Sequence, residues 1–214
     1  MTPTPTLTRR ALVGGLILAA PGGVWAQTGA QPSLLLPTPS GARGPFYPVA
    51  FPADSDADLV QVRGQAARAL GTIAHVGGRV LGADGRPVAG ALVEVWQCDA
   101  CGRYHHPGDS GPMDTAFQGY GRVAADAGGR YGFRTIRPVA YPGRTPHIHF
   151  AVQAPGYASL VTQMYVAGEP LNAQDGLYRM LGDARSRAAV TVALEPANGM
   201  EPGALAGVFD IVLG

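Results

Sequence analysis

What most restricts this chain is a rhythm of short apolar runs cut by tight-turn residues, beginning at Thr72 and continuing to the C-terminus. Residues 76–81 are followed by Ala83-Asp84-Gly85-Arg86 and Pro87, then by residues 91–97, so the two runs read as a hairpin-like pair. Residues 121–125, the turn Asp126-Ala127-Gly128-Gly129 and residues 130–136 repeat the pattern. Further strands are expected at 160–166, 188–194 and 208–213, with a short helix over 172–181 capped by Asn172. Val93 and Val95 alternate with Leu92, Glu94 and Trp96, so neither face of that run is strongly polar and the strand should be covered on both sides. Runs of this length between turns predict an all-β fold: a β-sandwich of mixed and antiparallel strands, with an extended N-terminal arm and little helix.

Composition agrees where it bears on the point. Glycine and proline number 31 and 19 of 214 residues, and they fall between the apolar runs as turn punctuation. Charged residues are 14%, the formal net charge is +1, and all 16 basic residues are arginine. A near-neutral chain without a basic cluster argues against nucleic acid or an anionic membrane surface as partner.

The chain divides into three stretches. Residues 1–26 read as a twin-arginine (Tat-type) signal peptide: Arg9-Arg10 precede a short apolar run, Pro21-Gly22-Gly23 breaks it, and Val24-Trp25-Ala26 resembles a cleavage site. The run is about half the ~20 residues a transmembrane helix needs, so no membrane anchor is expected and the location is periplasmic or secreted. Residues 27–70 read as an extended arm, in which Gly44-Pro45-Phe46-Tyr47-Pro48 stands out. Its aromatics either dock on the sheet or bring Tyr47 near a pocket. Residues 71–214 form the sandwich domain, and the mature length suffices to bury about 70% of the unfolded surface.

The chemistry concentrates in Tyr141-Pro142-Gly143-Arg144-Thr145-Pro146-His147-Ile148-His149-Phe150. On a strand, i and i+2 share a face, so His147 and His149 project to one side while Ile148 and Phe150 enter the core. Two imidazoles about 7 Å apart at Cα can converge on one ion. Tyr104, in Gly102-Arg103-Tyr104-His105-His106, and Tyr141 complete a candidate donor quartet. Keeping a phenol of pKa near 10 ionised at pH 7 needs about 4 kcal/mol, which a trivalent hard cation supplies. Phenolates with imidazoles suit iron(III) better than zinc.

The segments G-P-F-Y, V-E-V-W-Q-C-D-A-C-G-R-Y, F-Q-G-Y-G-R, Y-G-F-R-T-I-R-P, Y-P-G-R-T-P-H-I-H-F and T-Q-M-Y together resemble the intradiol ring-cleavage dioxygenases, the catechol 1,2- and protocatechuate 3,4-dioxygenase family. The resemblance spans residues 44–168 and implies a non-haem Fe(3+) site held by Tyr104, Tyr141, His147 and His149. It implies that Tyr141 leaves when substrate binds, that Arg144 stabilises the carbanionic form of the substrate, and that Gln163 lies in the same pocket. The implied reaction cleaves a catechol-type ring between its two hydroxylated carbons with O2, giving a cis,cis-muconate. One departure from the better-known members is the short link from Tyr141 to His147, which implies a more open site. A zinc hydrolase or lyase using His147, His149 and His105 or His106, or a non-catalytic sandwich module, are the competing readings. Cys98 and Cys101 form a disulfide after export, stay as thiols, or bind metal, and a homo-oligomer stays open. His75 is expected to be structural.

Overall fold

The computed structural model describes residue 1 and residues 34–214. The signal peptide expected over 1–26 and the start of the arm, 27–33, lie outside the described residues apart from Met1. Ten strands follow in order: β1 (Ile73–Gly82), β2 (Leu92–Trp96), β3 (Tyr120–Ala124), β4 (Arg130–Ile136), β5 (His147–Gln153), β6 (Leu160–Val166), β7 (Thr191–Val192), β8 (Glu195–Pro196), β9 (Leu205–Val208) and β10 (Ile211–Leu213). A 3-10 turn at Pro170–Ala173 and two short helices, α1 (Gly176–Arg179) and α2 (Ala184–Ala189), lie between β6 and β7. Among the described residues no helix is long and apolar enough to cross a membrane.

The strands form two five-stranded mixed sheets, as an all-β sandwich requires. One has the order β3-β2-β5-β6-β7. In the other, β1 pairs antiparallel with β4, while Ala74–Gly77 runs parallel to β9 and Val80–Gly82 parallel to β10. At the changeover Gly78 lies under the Phe209 carbonyl, so close that a Cβ there has no room. Between the sheets pack Val76, Val80, Tyr131, Phe133, Ile148, Phe150, Met164, Phe209 and Ile211, all buried. Truncating Phe150, which is fully buried, to alanine would cost about 3–5 kcal/mol.

Three local expectations are corrected. Neither the runs around Asp84-Gly85 nor those around Gly128-Gly129 pair as a hairpin: β1 and β2 lie in different sheets, as do β3 and β4, and across the first turn pairing stops at the Leu81–Pro87 bridge. The turn is local, but the chain leaving it crosses the sandwich to pair with β3 and β5. Residues 188–194 are not one strand, because the Asp183 side chain accepts from Ser186 N and caps α2 over their first part. Nor is Asn172 a helix cap. Glu169 and Asp175 cap the turn and α1, while buried Asn172 accepts from Thr145 Oγ1 and donates to the Val166 carbonyl.

Residues 34–70 contain no strand or helix. This segment is nonetheless bonded down: Thr38 N to Val212 O, Gly41 N to Val161 O and Leu59 N to Arg134 O, with Leu59 and Val60 fully buried.

Candidate metal centre

Strand β5 sorts its side chains as its alternation demands. Ile148, Phe150 and Val152 join the inter-sheet core, while His147 and His149 face the other way at 1% and 2% exposure. Their rings are 4.8 Å apart, and the two Nε2 atoms face each other at 3.2 Å. His147 Nδ1 lies 2.6 Å from the Thr145 carbonyl. A carbonyl can only accept, so the proton sits on Nδ1 and Nε2 presents a lone pair toward His149.

Two loops bring in the phenols. Tyr104 follows the turn after β2, which Asp99 ties together by accepting from the amides of Cys101, Arg103 and Asp114. Asp109 accepts from the amide of Tyr104 itself. The Tyr104 ring lies 6.2 Å from His149 and 5.4 Å from Tyr141, whose ring lies 5.5 Å from His147. All four expected donors therefore meet at one place. Trp96 stacks on His149 at 4.8 Å and 9°, and Phe46 stacks on Tyr104 at 4.7 Å. Gly44, with φ of 72°, passes so close that its Cβ would stand 3.4 Å from His149 Cε1.

The electrostatics describe a donor set suited to a cation. Burial, with the neighbouring Tyr141 and Cys98, pushes the Tyr104 phenol well above its ordinary value. Its oxygen is buried and makes no hydrogen bond among the described residues. Burial likewise raises Tyr141. Burial and the Arg144 charge lower His147 to about 4, and burial with its His147 neighbour lowers His149. Neutral imidazoles with facing nitrogens and an unpartnered phenol are what a bound hard cation would resolve, so the residues present fit one. Among the described residues no three His, Cys, Asp or Glu side chains are placed to hold one metal ion, so the zinc reading lacks its third donor. His105 lies 4.0 Å from Asp99, and His106 packs 5.7 Å from Phe46.

Arg144 borders this cluster. It donates through Nε to Asp175 at 2.8 Å and through Nη2 to Gln163 Oε1 at 2.5 Å, and Nη1 stands 3.4 Å from the Tyr141 oxygen. Gln163, opposite His149 across the β5–β6 ladder, also accepts from Tyr165 and donates to the Ala42 carbonyl.

A family model described as "Dioxygenase" matches residues 42–214. The chain is 43% identical over 169 residues to the protocatechuate 3,4-dioxygenase beta chain of Burkholderia cepacia, covering 74% of this chain and 71% of that one. The chain belongs to the intradiol ring-cleavage dioxygenases. It is also 32% identical to a catechol 1,2-dioxygenase of Candida albicans, over 68% of this chain but only 52% of that protein. Among solved structures it resembles the dioxygenase domain of a dioxygenase–carbohydrate-binding fusion from Streptomyces sp. SirexAA-E, with 34% identity and a TM-score of 0.61, covering 83% of this chain and 97% of that one.

In this intradiol chain the site also contains residues that sequence reasoning missed. Asp175 holds Arg144, and its one signal was a cap position before Gly176. Trp96 and Tyr165 were visible only as strand residues, and their pairing opposite His149 and His147 depends on register. Tyr47 docks edge-on against Trp96 at 4.9 Å, with its hydroxyl 3.3 Å from both oxygens of buried Glu94. Both cysteines are free thiols, Cys98 buried and Cys101 exposed.

Proposed function

We propose that the protein is an iron(III) intradiol dioxygenase, with Tyr104, Tyr141, His147 and His149 holding the metal, and that it converts a catechol and O2 into a cis,cis-muconate. The observation that carries this is the convergence of two buried imidazoles and two phenols with no carboxylate among them. Iron(III) held by that set would supply a hard Lewis acid that keeps phenolates ionised and activates a catechol. The reaction balances without a further reductant: both atoms of O2 enter the product, as the ring bond between the two hydroxylated carbons gives way to two carboxylates.

The residues around the metal divide the remaining work. Tyr104, at 2% exposure and stacked under Phe46, is the donor built to stay. Tyr141 is only partly buried, so its phenol oxygen would be the donor placed to take up one of the two catechol protons. Arg144 Nη1, beside that oxygen, holds negative charge as it develops on the ring. Gln163 and Asp175 position the guanidinium from two sides. Trp96, Phe46 and the arm at Gly44 keep water from His149 and Tyr104.

Metal analysis with a visible spectrum and product identification tests the reading. We expect stoichiometric iron, a tyrosinate absorption band, and cis,cis-muconate from catechol. The semialdehyde of cleavage beside the diol would overturn it. Tyr104→Phe should lose iron more readily than Tyr141→Phe, and unchanged spectra in both would remove these phenols from the metal. We also propose export in the folded state to the periplasm or beyond, on the strength of Arg9-Arg10 before a short apolar run. Replacing both arginines with lysine should leave precursor in the cytoplasm.

A further inference from the structure

A cleft of about 430 Å³ opens at Gln163, the partner of Arg144, within the roughly 300–1,000 Å³ that holds a small organic ligand. Its floor is Gln163 and Tyr165, and its apolar wall is Leu177, Met180, Leu181 and Val190. The arm at Pro39 to Ala42 closes the third side. Apart from the Tyr165 phenol, which burial pushes up to about 12, no ionisable side chain lines it.

The cleft is mechanically part of the candidate site. Gln163 Oε1 on its floor accepts from Arg144 and from Tyr165, whose ring lies 6.1 Å from His147. Its apolar wall is fixed relative to Arg144 by one carboxylate. Asp175, whose side chain is fully buried, caps α1 by accepting from Tyr178 N and also accepts from Thr145 N and Arg144 Nε. Leu177 and Met180 are therefore held at a set height above the Gln163–Arg144 pair.

We propose that this cleft seats the substituent-bearing side of the ring and selects catechols with an uncharged, apolar substituent, such as an alkyl group, over those with a carboxylate. The proposal rests on the intradiol reading above. A carboxylate placed here meets methylenes and neutral polar groups, and an unpaired charge taken out of water is strongly disfavoured. Arg144 does not line the cleft, and its Nε and Nη2 are turned to Asp175 at 2.8 Å and Gln163 at 2.5 Å. Arg179 is exposed and, together with Arg144 and Gly143, lines a separate open depression that shares Leu177 and Met180 with the cleft. The cleft is thus built for apolar contact even though one relative, 43% identical, is named for protocatechuate.

The test compares catechol, 4-methylcatechol and protocatechuate with the iron-loaded enzyme by O2 uptake. A parallel titration of the metal-free protein uses 4-methylphenol and 4-hydroxybenzoate, followed by intrinsic fluorescence. We expect kcat/KM for 4-methylcatechol to exceed that for protocatechuate by roughly 10²-fold or more, and 4-methylphenol to bind tighter than 4-hydroxybenzoate. Leu177→Arg should narrow the ratio by at least about tenfold, since a cation then faces the carboxylate. Protocatechuate turned over as well as 4-methylcatechol by the wild type overturns the proposal. If Arg179→Ala then abolishes that turnover, the carboxylate is read from the neighbouring depression. Failure to cleave catechol at all would count against the intradiol reading, whereas the binding ratio in the metal-free protein addresses the cleft alone.

Discussion

Two arginines of this sandwich, Arg134 on a strand and Arg144 in the turn that leads into β5, have partners that make them different instruments. Arg134, on β4, is saturated. Its Nε and Nη2 grip both oxygens of Glu201 at 2.7 and 2.8 Å, and its Nη1 reaches both oxygens of Asp58 at 2.9 and 3.0 Å. His75 adds a contact to Glu201 at 3.1 Å, which gives it the structural place expected of it. Arg144 has one carboxylate, Asp175, and otherwise neutral partners. Its Nη1 keeps a long 3.4 Å approach to the Tyr141 oxygen. A guanidinium held by two carboxylates has no field left to offer and serves as a clasp between the arm, β4 and the Glu201 loop. One held by a single carboxylate is oriented while keeping an N–H toward the place where charge develops.

The comparison breaks most sharply on turnover. Arg144→Ala should leave the metal and its colour in place, because Arg144 is not a donor, yet slow turnover by about 10²-fold or more, equivalent to about 2.7–4 kcal/mol. Arg134→Ala should leave kcat unchanged. Steady-state kinetics on the two variants with catechol decide it. Equal losses in both would mean that the Arg144 effect is structural, and wild-type turnover in Arg144→Ala would remove the role assigned to it.

How much of this contrast the sequence could show depends on the range of each interaction. His147 and His149 were legible because strand alternation is local, and the structure puts both on one face with Ile148 and Phe150 on the other. Strands 130–136 and 160–166 matched their expected ends, and the first is bounded by Gly129 in a turn. Asp175 and Trp96 were not legible as site residues. One is 31 residues from Arg144, and the other meets His149 only through the β2–β5 register. The hairpin-like reading of β1 and β2 failed for the same reason. A turn fixes its own few residues, while the choice of partner strand belongs to the core that forms afterwards. Arg134 looked like any strand arginine, since both of its carboxylates come from distant loops.

A smaller effect separates the arginines by stability. Arg134→Ala removes a forked pair and its second carboxylate partner at a side chain 26% exposed, so the loss is screened and should amount to roughly 1–2 kcal/mol. At roughly 2–4 °C per kcal/mol for a chain of this size, thermal unfolding should fall by several degrees with no change in metal content. No shift in the melting temperature would mean that Arg134 is an ornament of the surface and not a clasp.

The smallest expected effect is the acid dependence of that clasp. Hydrogen bonds from Arg134, then its charge and the His75 contact, lower the Glu201 carboxyl from 4.5 to about 2. A carboxyl depressed in the folded state contributes stability that is fully present above its unfolded value and lost as pH falls through its folded one. The Glu201 contribution should therefore be intact above about pH 5 and decline between there and about pH 2. Glu201→Gln keeps the shape of the side chain but has no proton to take up in that window. The wild type should be the more stable protein at neutral pH, and the gap between the two should close as acid is added. Urea unfolding of both proteins at a series of pH values from neutral to about 2.5 reads this directly. A gap that stays constant across the series would show that Arg134 gains nothing from the charge on Glu201, and the distinction between a saturated and an available arginine would then rest on Asp58 alone.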